Sequence, residues 1–498
     1  MIIQGFLSAL HPLSLLLIAC GVVVGITFGA MPGLSSTMAV ALFLPLTYGL
    51  SDKMAMSLLM ALYIGGISGG LITACLLKIP GTPSSVATCW DGNPMVERGE
   101  AMKALGTGVV FSFLGTIFSI VILIFASPAL ARLATNFGFY EYFAIALFSM
   151  SMIACMCSNN LKKGMIAGVL GFMVSTVGIA PIDAAKRFTF GTSALQGGFS
   201  TLPVLIGLFA MTEIFAIAAT SKVGKKAKVL HVSMKGVKGF GFSLKEFWSV
   251  KWVALQSALL GTGIGILPGI GGGTSNILAY TVAKNTSKHP EKFGTGIMDG
   301  VVASETSNNA SIGGAMVPLL ALGIPGDTVT AILLGALTMH GINPGPLLFE
   351  KSGELVYCIF AAMIVSSVIM LIFEFYGLKV FLLMLRIPKY MLMPIVFVLC
   401  AVGAYGNSSR IFDVYAILIF GLIGLFFSFY NIPSAPFILG FIIGPLLESN
   451  LRRGLQLTNG SFMPFLKSPI AVLFLLITLG TIGYTAFKEI RPKKKRAD

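Results

Sequence analysis

The sequence predicts an all-α integral membrane protein built from two related, inverted repeats that contain discontinuous or re-entrant helices. Three observations lead to this prediction: the composition, the lengths of the apolar stretches, and a repeated pairing of proline with glycine. Of the 498 residues, 56% are hydrophobic and 11% are charged, whereas soluble domains average about 25% charged residues. This composition excludes a soluble fold.

Apolar stretches recur from one end of the chain to the other. Most are roughly 17 to 25 residues long, the length that crosses a hydrocarbon core about 30 Å thick. Glycine and proline interrupt several of them, and a half-span cannot be told from a short full span. The sequence alone therefore predicts about ten to fourteen spans. The amino-terminal stretch lacks a basic leader, so we expect it to be the first span and not a cleaved signal.

The net charge of +15 comes largely from two basic clusters. One lies in the polar stretch 221–251 and the other in the tail 488–498. Basic residues beside membrane spans are typical of cytoplasmic loops, so we expect both segments to be cytoplasmic and the second half to cross the membrane an even number of times. We expect these clusters to contact anionic membrane lipids and not nucleic acid. The seven cysteines show no paired spacing, and no cofactor or structural metal site is expected.

The long polar stretch divides the chain into four parts. We predict a first membrane repeat at 1–220, a basic cytoplasmic connecting loop at 221–251, a second membrane repeat at 252–487, and a basic cytoplasmic tail at 488–498.

Short motifs recur in the same order on both sides of this loop, which favours an internal duplication over shared composition. The matches pair 29–37 with 265–273 at an offset of 236, 79–82 with 324–327 at an offset of 245, and 93–94 with 343–344 at an offset of 250.

Each half contains two breaks at which proline and glycine adjoin. Proline removes a backbone donor and glycine adds flexibility, so these pairs end helices. A freed backbone group costs several kcal/mol in lipid, and such breaks persist only where they are buried in protein or line a cavity. Paired breaks in two repeats are typical of the substrate site of a transporter, because helix amino termini attract carboxylates and freed carbonyls suit Na⁺.

The residues predicted to bind substrate lie in or beside these breaks. They are Pro32, Gly33, Ser35, Ser36, Pro80, Gly81, Thr82, Ser84, Pro268, Gly269, Gly272, Asn308, Asn309, Pro325, Gly326, Asp327 and Thr328. The alternative is that the hydroxyl and amide side chains only cap helix ends.

The polar stretch Ser304–Ser311 is rich in side-chain oxygen atoms. It predicts an ion site formed by Ser304, Glu305, Ser307 and Asn308, and the alternative is a plain polar loop. Two other residues also have two interpretations. Lys78 either neutralises an anionic substrate or extends to the membrane surface, and Asp91 lies in either a surface hairpin or a re-entrant tip.

These motifs resemble the large membrane subunit of the tripartite tricarboxylate transporters, the TctA family. The resemblance rests on IPGTPSSVATCWDGNPMVERGEAMKALG at 79–106, GAMPGLSST, LPGIGGG and SETSNNASIGGAMVPLLALGIPGDT at 304–328, and it extends over essentially the whole chain. Ser84, Ser85 and the pair Cys89-Trp90 depart from the residues that are commoner in this family, which puts the choice of substrate in doubt.

The resemblance implies a multi-pass subunit of the bacterial inner membrane with about twelve spans. It also implies two partners, a small membrane subunit of about four spans and a periplasmic solute-binding protein. The activity implied is import of tricarboxylates such as citrate, or of related carboxylates, driven by a Na⁺ or proton gradient. Similar organisation in other binding-protein-dependent transporters suggests an elevator-like movement.

Other classes of function are less well supported by the residues. Another ion-coupled transporter or a channel is the alternative. An intramembrane enzyme would need two facing aspartates or a Ser/His pair, and the four histidines show no such arrangement. We therefore expect no enzymatic activity.

Overall fold

The computed structural model describes residues 2–31, 34–156, 161–219, 239–378 and 409–490, with scattered positions between 380 and 405. These residues are almost entirely helical, which confirms the all-α prediction. The helices are α1 (Ile2–Ala9), α2 (Pro12–Ala30), α3 (Ser36–Phe43), α4 (Asp52–Ser68), α5 (Gly70–Leu77), α6 (Thr88–Glu97), α7 (Ala101–Ala134), α8 (Phe139–Met156), α9 (Leu161–Ser175), α10 (Thr201–Ile206), α11 (Thr212–Ala219), α12 (Leu244–Ser249), α13 (Lys251–Ile266), α14 (Gly271–Thr286), α15 (Met298–Leu322), α16 (Thr328–Met339), α17 (Leu348–Lys351), α18 (Gly353–Tyr376), α19 (Ile411–Phe429), α20 (Ser434–Leu457), α21 (Met463–Lys467) and α22 (Pro469–Ile490). Two short strands, β1 (Gly178–Ile179) and β2 (Lys186–Arg187), pair antiparallel.

The described helices include segments long and apolar enough to cross a membrane. Six meet this description: Pro12–Ala30, Asp52–Leu77, Ala101–Ala134, Gly353–Tyr376, Ile411–Phe429 and Ser434–Leu457. Shorter apolar helical segments are Ser36–Gly49, Thr201–Ala216, Thr328–Met339 and Pro469–Gly483. Of these, Ser36–Gly49 and Thr328–Met339 begin directly after predicted breaks. The chain is a multi-pass membrane protein.

The chain forms two compact units, one from Met1–Arg132 with Leu202–Leu425 and the other from Leu133–Thr201 with Phe426–Asp498. The first unit contains the breaks. In the second unit, Arg187 on β2 donates to Glu448 on α20 at 2.5 Å, and Arg452 approaches the same carboxylate at 3.2 Å. These ion pairs hold β2 against α20.

Helices α13 and α14 form a hairpin whose closed end is the break at Pro268. Helix α13 runs parallel to α15, since glycines one turn apart on α13 contact residues one turn apart on α15, namely Gly261 with Ser307 and Gly265 with Ser311. Helix α14 then runs back, because its residue Ala283 belongs to a buried cluster with Val253, near the start of α13. The hairpin is therefore re-entrant with respect to α15.

Helices α2 and α3 form a second hairpin of the same kind. Helix α2 runs parallel to α4 through the contacts Gly21 with Leu58, Gly25 with Leu62 and Gly29 with Gly66. Helix α3 turns back and leads through a 3₁₀ turn, Pro45–Gly49, to the start of α4 at Asp52. Each hairpin thus packs along its own long helix through glycine contacts, the first along α15 and the second along α4.

The two hairpins open at opposite ends of α15. Thr47 lies at the open end of the α2–α3 hairpin, and its hydroxyl is 3.4 Å from His340 Nε2. The segment after His340 contacts the end of α15, because Gly345 N donates to Leu320 O at 3.2 Å. The α2–α3 hairpin therefore opens at this end of α15. The open end of the α13–α14 hairpin lies beside Ile297, at the start of α15. The 25 residues of α15 span about 37 Å. We refer to these two ends as the Leu320 end and the Ile297 end.

Helix α12 is held against the start of α7 by an ion pair at the Ile297 end. Lys103 Nζ lies 2.5 Å from Glu246 Oε1. The Lys103 ammonium group, with hydrogen bonds from Ser243, lowers the pKa of Glu246 to about 2. Both side chains are partly exposed, and we expect the pair to contribute at most about 1 kcal/mol to stability.

Candidate functional site

The first break of the first half is described only on its carboxyl side. Pro32 and Gly33 lie outside the described residues. Ser35 accepts a hydrogen bond from Met38 N at 3.2 Å and so caps α3. Ser36, the first residue of that helix, is buried. Helix capping, which was the alternative to substrate binding for these side chains, is therefore observed at Ser35.

The second break of the first half separates α5 from α6. Pro80 is exposed, whereas Gly81 is buried and lies so close to the Gly29 carbonyl that a side chain would overlap it. Thr82 N donates to Ser85 Oγ at 3.2 Å, which closes a capping box at a short 3₁₀ turn. This break is therefore sealed against the end of α2.

The two breaks of the second half are joined by a backbone hydrogen bond. Gly269 N donates to Gly326 O at 2.7 Å. Pro268 and Pro325 beside them are both buried. Asp327 caps α16 by accepting from Thr330 N at 2.8 Å. One buried substructure thus contains both breaks of this half.

The structure also brings each half against the other at these breaks. Thr37 Oγ1 lies 3.2 Å from Thr328 Oγ1, so the amino termini of α3 and α16 meet. On α14, Asn276 Oδ1 accepts from Ala87 N at 2.9 Å, which joins this helix to the segment after Gly81. Each first break therefore faces the second break of the other half.

The polar stretch Ser304–Ser311 lies within α15 and is fully buried. The plain-loop alternative is therefore wrong. A run of polar residues resembles a loop in sequence, but here the helix satisfies the backbone donors and acceptors, and neighbouring elements meet the side chains.

Glu305 accepts hydrogen bonds from two other helices. Its Oε1 accepts from Thr88 on α6 at 2.5 Å, and its Oε2 accepts from Ser112 on α7 at 3.0 Å. Asn309 Nδ2 donates to Ser112 Oγ at 2.8 Å and approaches Glu305 Oε2 at 3.4 Å. Ser304 Oγ accepts from Thr88 at 3.0 Å. Of the predicted ion-site residues, Ser304 and Glu305 thus share one hydroxyl donor.

No cation pairs with Glu305 among the residues that the structure describes. Its side chain is completely buried, and the ion pairs found in the described ranges all involve other carboxylates. A buried ionised carboxylate without a partner is very costly, so this group requires either a proton or a bound cation.

Beside Glu305 lie side chains whose polar atoms lack hydrogen bonds. Ser307 Oγ and both amide atoms of Asn308 are buried and form no hydrogen bond of normal geometry, although the Asn308 amide approaches the Glu305 carboxylate. Asn309 Oδ1 is also without a partner. Buried polar groups in native proteins are nearly always bonded, so these atoms are candidates for contact with a ligand.

The Asn308 amide faces the amino terminus of α14 at Gly272. A Cβ atom built on Gly272 would lie 2.7 Å from Asn308 Oδ1, 3.0 Å from Ser311 Oγ and 3.2 Å from Ser84 Oγ. Three polar side chains from two segments therefore converge where this residue has no side chain. We refer to Gly272, Ser84, Asn308 and Ser311 as the Asn308 site.

Several of the predicted residues thus have one of three roles. Gly272, Ser84 and Asn308 converge in the Asn308 site, and Ser307 precedes Asn308 on α15 with its hydroxyl buried and without a hydrogen bond. Ser35, Thr82 and Asp327 cap helices or turns. The glycines Gly81 and Gly326 permit close packing, since a Cβ on Gly326 would lie 2.5 Å from Ala315 Cα.

Several partners of the site escaped sequence reasoning because they lie far away in the chain. Thr88 and Ser112 contact Glu305 only through the packing of α6 and α7. Tyr63, on α4, donates its hydroxyl to Asp327 Oδ2 at 2.5 Å. The occurrence of single hydroxyl residues within apolar helices was the available signal, but it is too common to identify them.

Asp91 lies in neither a surface hairpin nor a re-entrant tip. It is buried within α6, and its Oδ1 accepts from the backbone of Gly294, Gly296 and Ile297 at 2.9, 2.7 and 3.0 Å. Tyr280 donates to Oδ2 at 2.7 Å. The turn signals of Asp-Gly and Asn-Pro are overridden because this carboxylate orders the loop before α15.

Comparison with known proteins identifies the family. The model described as the tripartite tricarboxylate transporter TctA family matches residues 15–439. An uncharacterised 52.8 kDa protein in the TAR-I ttuC' 3' region of Agrobacterium vitis is 33% identical over 492 residues, covering 99% of this chain and 97% of that protein. An uncharacterised protein in the TAR-II ttuC' 3' region of the same organism is 36% identical over 234 residues, covering 47% of this chain and 97% of that protein. No solved structure matches the chain. The chain belongs to the tripartite tricarboxylate transporter TctA family.

Proposed function

We propose that this chain is the large permease subunit of a tripartite secondary transporter that imports tricarboxylates or related carboxylates across the bacterial inner membrane. In this proposal it works with a small four-span membrane subunit and a periplasmic solute-binding protein, and a Na⁺ or proton gradient drives uptake. Family membership supports a transport role over an enzymatic one.

The observation that carries the proposal is the buried Glu305 carboxylate, which pairs with no cation among the described residues, beside the Asn308 amide, which forms no hydrogen bond of normal geometry. A carboxylate that lacks a protein cation can take up Na⁺ or a proton, and either ion would then be bound beside the substrate. Hydroxyl and carboxylate oxygens are suitable ligands for Na⁺. Ion binding and substrate binding are then coupled, because the bound ion offsets the negative charge of Glu305 next to an anionic substrate.

The surroundings of Asn308 suit a carboxylate substrate. Ser84 can donate its hydroxyl, and the Asn308 amide, whose Oδ1 faces Gly272 in this structure, can donate through Nδ2 after a half-turn of the amide group. The amino terminus of α14 begins at Gly271, so its free N–H groups and positive dipole end lie at the same place. A carboxylate held here would satisfy the polar atoms that are otherwise without partners.

We also propose that the two halves are repeats of inverted orientation, and matched contacts support this. The offset of 236 relates α2 to α13, and the offset of 245 relates α4 to α15. When 236 is added to the first residue of a contact and 245 to the second, a contact in the first half gives a contact that is also present in the second half. The Gly25–Leu62 contact gives Gly261–Ser307, Ile26–Gly69 gives Thr262–Gly314, Gly29–Gly66 gives Gly265–Ser311, and Gly29–Gly81 gives Gly265–Gly326. The opposite openings of the two hairpins supply the inversion.

The repeats differ at the position that matters most for binding. By the offset of 245, position 63 corresponds to 308 and position 82 to 327, so the pair Tyr63 and Asp327 corresponds to the pair Asn308 and Thr82. Tyr63 closes one location by bonding to Asp327 at 2.5 Å. At the other location the amide of Asn308 does not bond to Thr82 and forms no hydrogen bond of normal geometry, and Thr82 bonds to the nearby Ser85. This asymmetry supports a single substrate site per chain, on the side of Asn308.

The direct test of the proposal is transport by the complete system. The chain is reconstituted into proteoliposomes with the small membrane subunit and the solute-binding protein, and uptake of radiolabelled citrate is measured under separate Na⁺ and proton gradients. We expect one gradient to drive uptake and ATP to have no effect. Uptake that requires ATP, or that ignores both gradients, would contradict the mechanism. The count of about twelve spans and the elevator-like movement stay predictions.

A further inference from the structure

A second cavity lies at the Ile297 end, away from the Asn308 site. Its volume is about 610 Å³, which is enough for a small organic anion. Its lining includes Lys78, Trp90, Tyr280, Lys284 and Phe293. These residues come from the end of α5, from α6, from α14 and from the loop before α15. The cavity is therefore assembled from both halves of the first unit.

The cavity is cationic. Lys78 and Lys284 both line it, and no Asp or Glu is among the described residues of its lining. Within the described ranges neither lysine forms an ion pair. Asp91, which lies behind Tyr280, is already occupied by three backbone donors and the tyrosine hydroxyl. The two ammonium groups are therefore available to an anion.

Aromatic rings form one wall of the cavity, and a backbone turn places Lys78 at its edge. Trp90 packs edge-on against Tyr280 with ring centroids 4.8 Å apart, and Tyr280 packs against Phe293 at 5.4 Å. Lys78 ends α5 in a left-handed conformation with φ of 56°, which is uncommon for a residue with a side chain. This backbone turn leads directly to the break at Pro80.

The cavity is linked to the Asn308 site along α14. Lys284 lies 12 residues after Gly272 on this helix, a distance of about 18 Å. Lys78 immediately precedes the break that carries Ser84. The same two segments that contribute to the Asn308 site thus contribute its cations to the cavity.

We propose that this cavity is a second anion site that binds di- and tricarboxylates at the mouth of the pathway to the Asn308 site. Two lysines on separate elements suit an anion with at least two carboxylates, and a cationic cleft raises the local concentration of such an anion. The identification of the anion as a carboxylate rests on the proposed function. The described part of the basic central segment, α12, packs at this same end of α15, so we place the cavity at the cytoplasmic mouth, where substrate would leave after import.

Trp90 provides a test that does not depend on transport. The chain contains three tryptophans, and the other two, Trp248 on α12 and Trp252 on α13, do not line the cavity. In a Trp248→Phe/Trp252→Phe variant, the remaining emission reports on the cavity alone. We expect citrate to change this emission saturably in the purified chain. Adding Lys78→Gln and Lys284→Gln should weaken the apparent affinity by at least about tenfold.

The controls separate this cavity from the Asn308 site. Lys288→Gln with Lys292→Gln removes the same charge from exposed lysines that do not line the cavity, and should leave the citrate response unchanged. Asn308→Ala should also leave it unchanged, so that failure of the proposed function would not alter this result. The single Lys78 and Lys284 variants should each show an intermediate affinity.

Three outcomes would overturn the proposal. One is a linear, unsaturable response that acetate and citrate produce equally. Another is an unchanged affinity in the Lys78→Gln/Lys284→Gln variant. The third is a response to nanodiscs containing phosphatidylglycerol that citrate does not displace, which would assign the cavity to a lipid headgroup.

Discussion

Replacing Gly272 with alanine is expected to reduce citrate uptake by the reconstituted system by at least about tenfold, equivalent to about 1.4 kcal/mol. The added methyl group would lie 2.7 Å from Asn308 Oδ1 and 3.0 Å from Ser311 Oγ. These atoms end flexible side chains and can shift, so the protein should still fold. The methyl group would then occupy the space in which a carboxylate would contact the amide.

The adjacent residue is a matched control for this substitution. Gly273 lies on the same turn of α14, and its nearest neighbour would be the Pro83 carbonyl at 3.4 Å, an ordinary contact. Gly273→Ala is therefore expected to retain uptake close to that of the wild type. Both variants are compared by initial uptake rate after normalisation to the amount of chain inserted. Equal rates in the two variants would remove the Asn308 site from the substrate pathway.

Replacing Glu305 with glutamine is expected to abolish gradient-driven uptake while citrate exchange across the membrane continues. Glutamine has the same shape, and its carbonyl can still accept from Thr88 or Ser112. The change removes the charge that would hold Na⁺ or the proton. We expect driven uptake to fall by at least about tenfold, whereas exchange, which needs no net ion movement, should fall much less.

Glu374 provides the comparison for Glu305. It is also buried on the first unit, where it accepts a hydrogen bond from Ser68 Oγ at 2.5 Å on α4. It lies on α18 and contacts none of the described breaks through the hydrogen bonds of its side chain. Glu374→Gln should leave coupling intact. If Glu374→Gln lost gradient-driven uptake and Glu305→Gln retained it, the ion site would lie at Glu374.

The breaks could be predicted from the sequence because their cause is local. Proline and glycine act on the backbone at their own positions, so the end of α13 follows from Pro268, and α15 ends at the cap residue Gly323, in a left-handed conformation shortly before Pro325. The offsets that relate the two halves can also be read from the sequence. The structure adds that residues related by these offsets make matching contacts, between α2 and α4 in one half and between α13 and α15 in the other.

The content of the site could not be predicted in the same way, because it depends on packing between distant elements. The stretch around Glu305 has the composition of a loop, and only the hydroxyls of Thr88 and Ser112 explain why it is a buried helix. Asp91 follows the same rule, since its partners in the loop before α15 are about two hundred residues away in the chain. Local turn propensity was the weaker influence in both places.

The central claim is that a tricarboxylate binds at Asn308, and equilibrium binding of radiolabelled citrate to the purified chain tests it most directly. The measurement uses the Lys78→Gln/Lys284→Gln background, so that the second cavity does not contribute. Hydrogen bonds to charged groups contribute about 1.5 to 3 kcal/mol, so Asn308→Ala should raise the Kd about 10- to 150-fold. Asn450→Ala, which removes an amide bonded to the Leu446 carbonyl at 2.7 Å in the other unit, should leave the Kd unchanged. An unchanged Kd in Asn308→Ala would contradict the account.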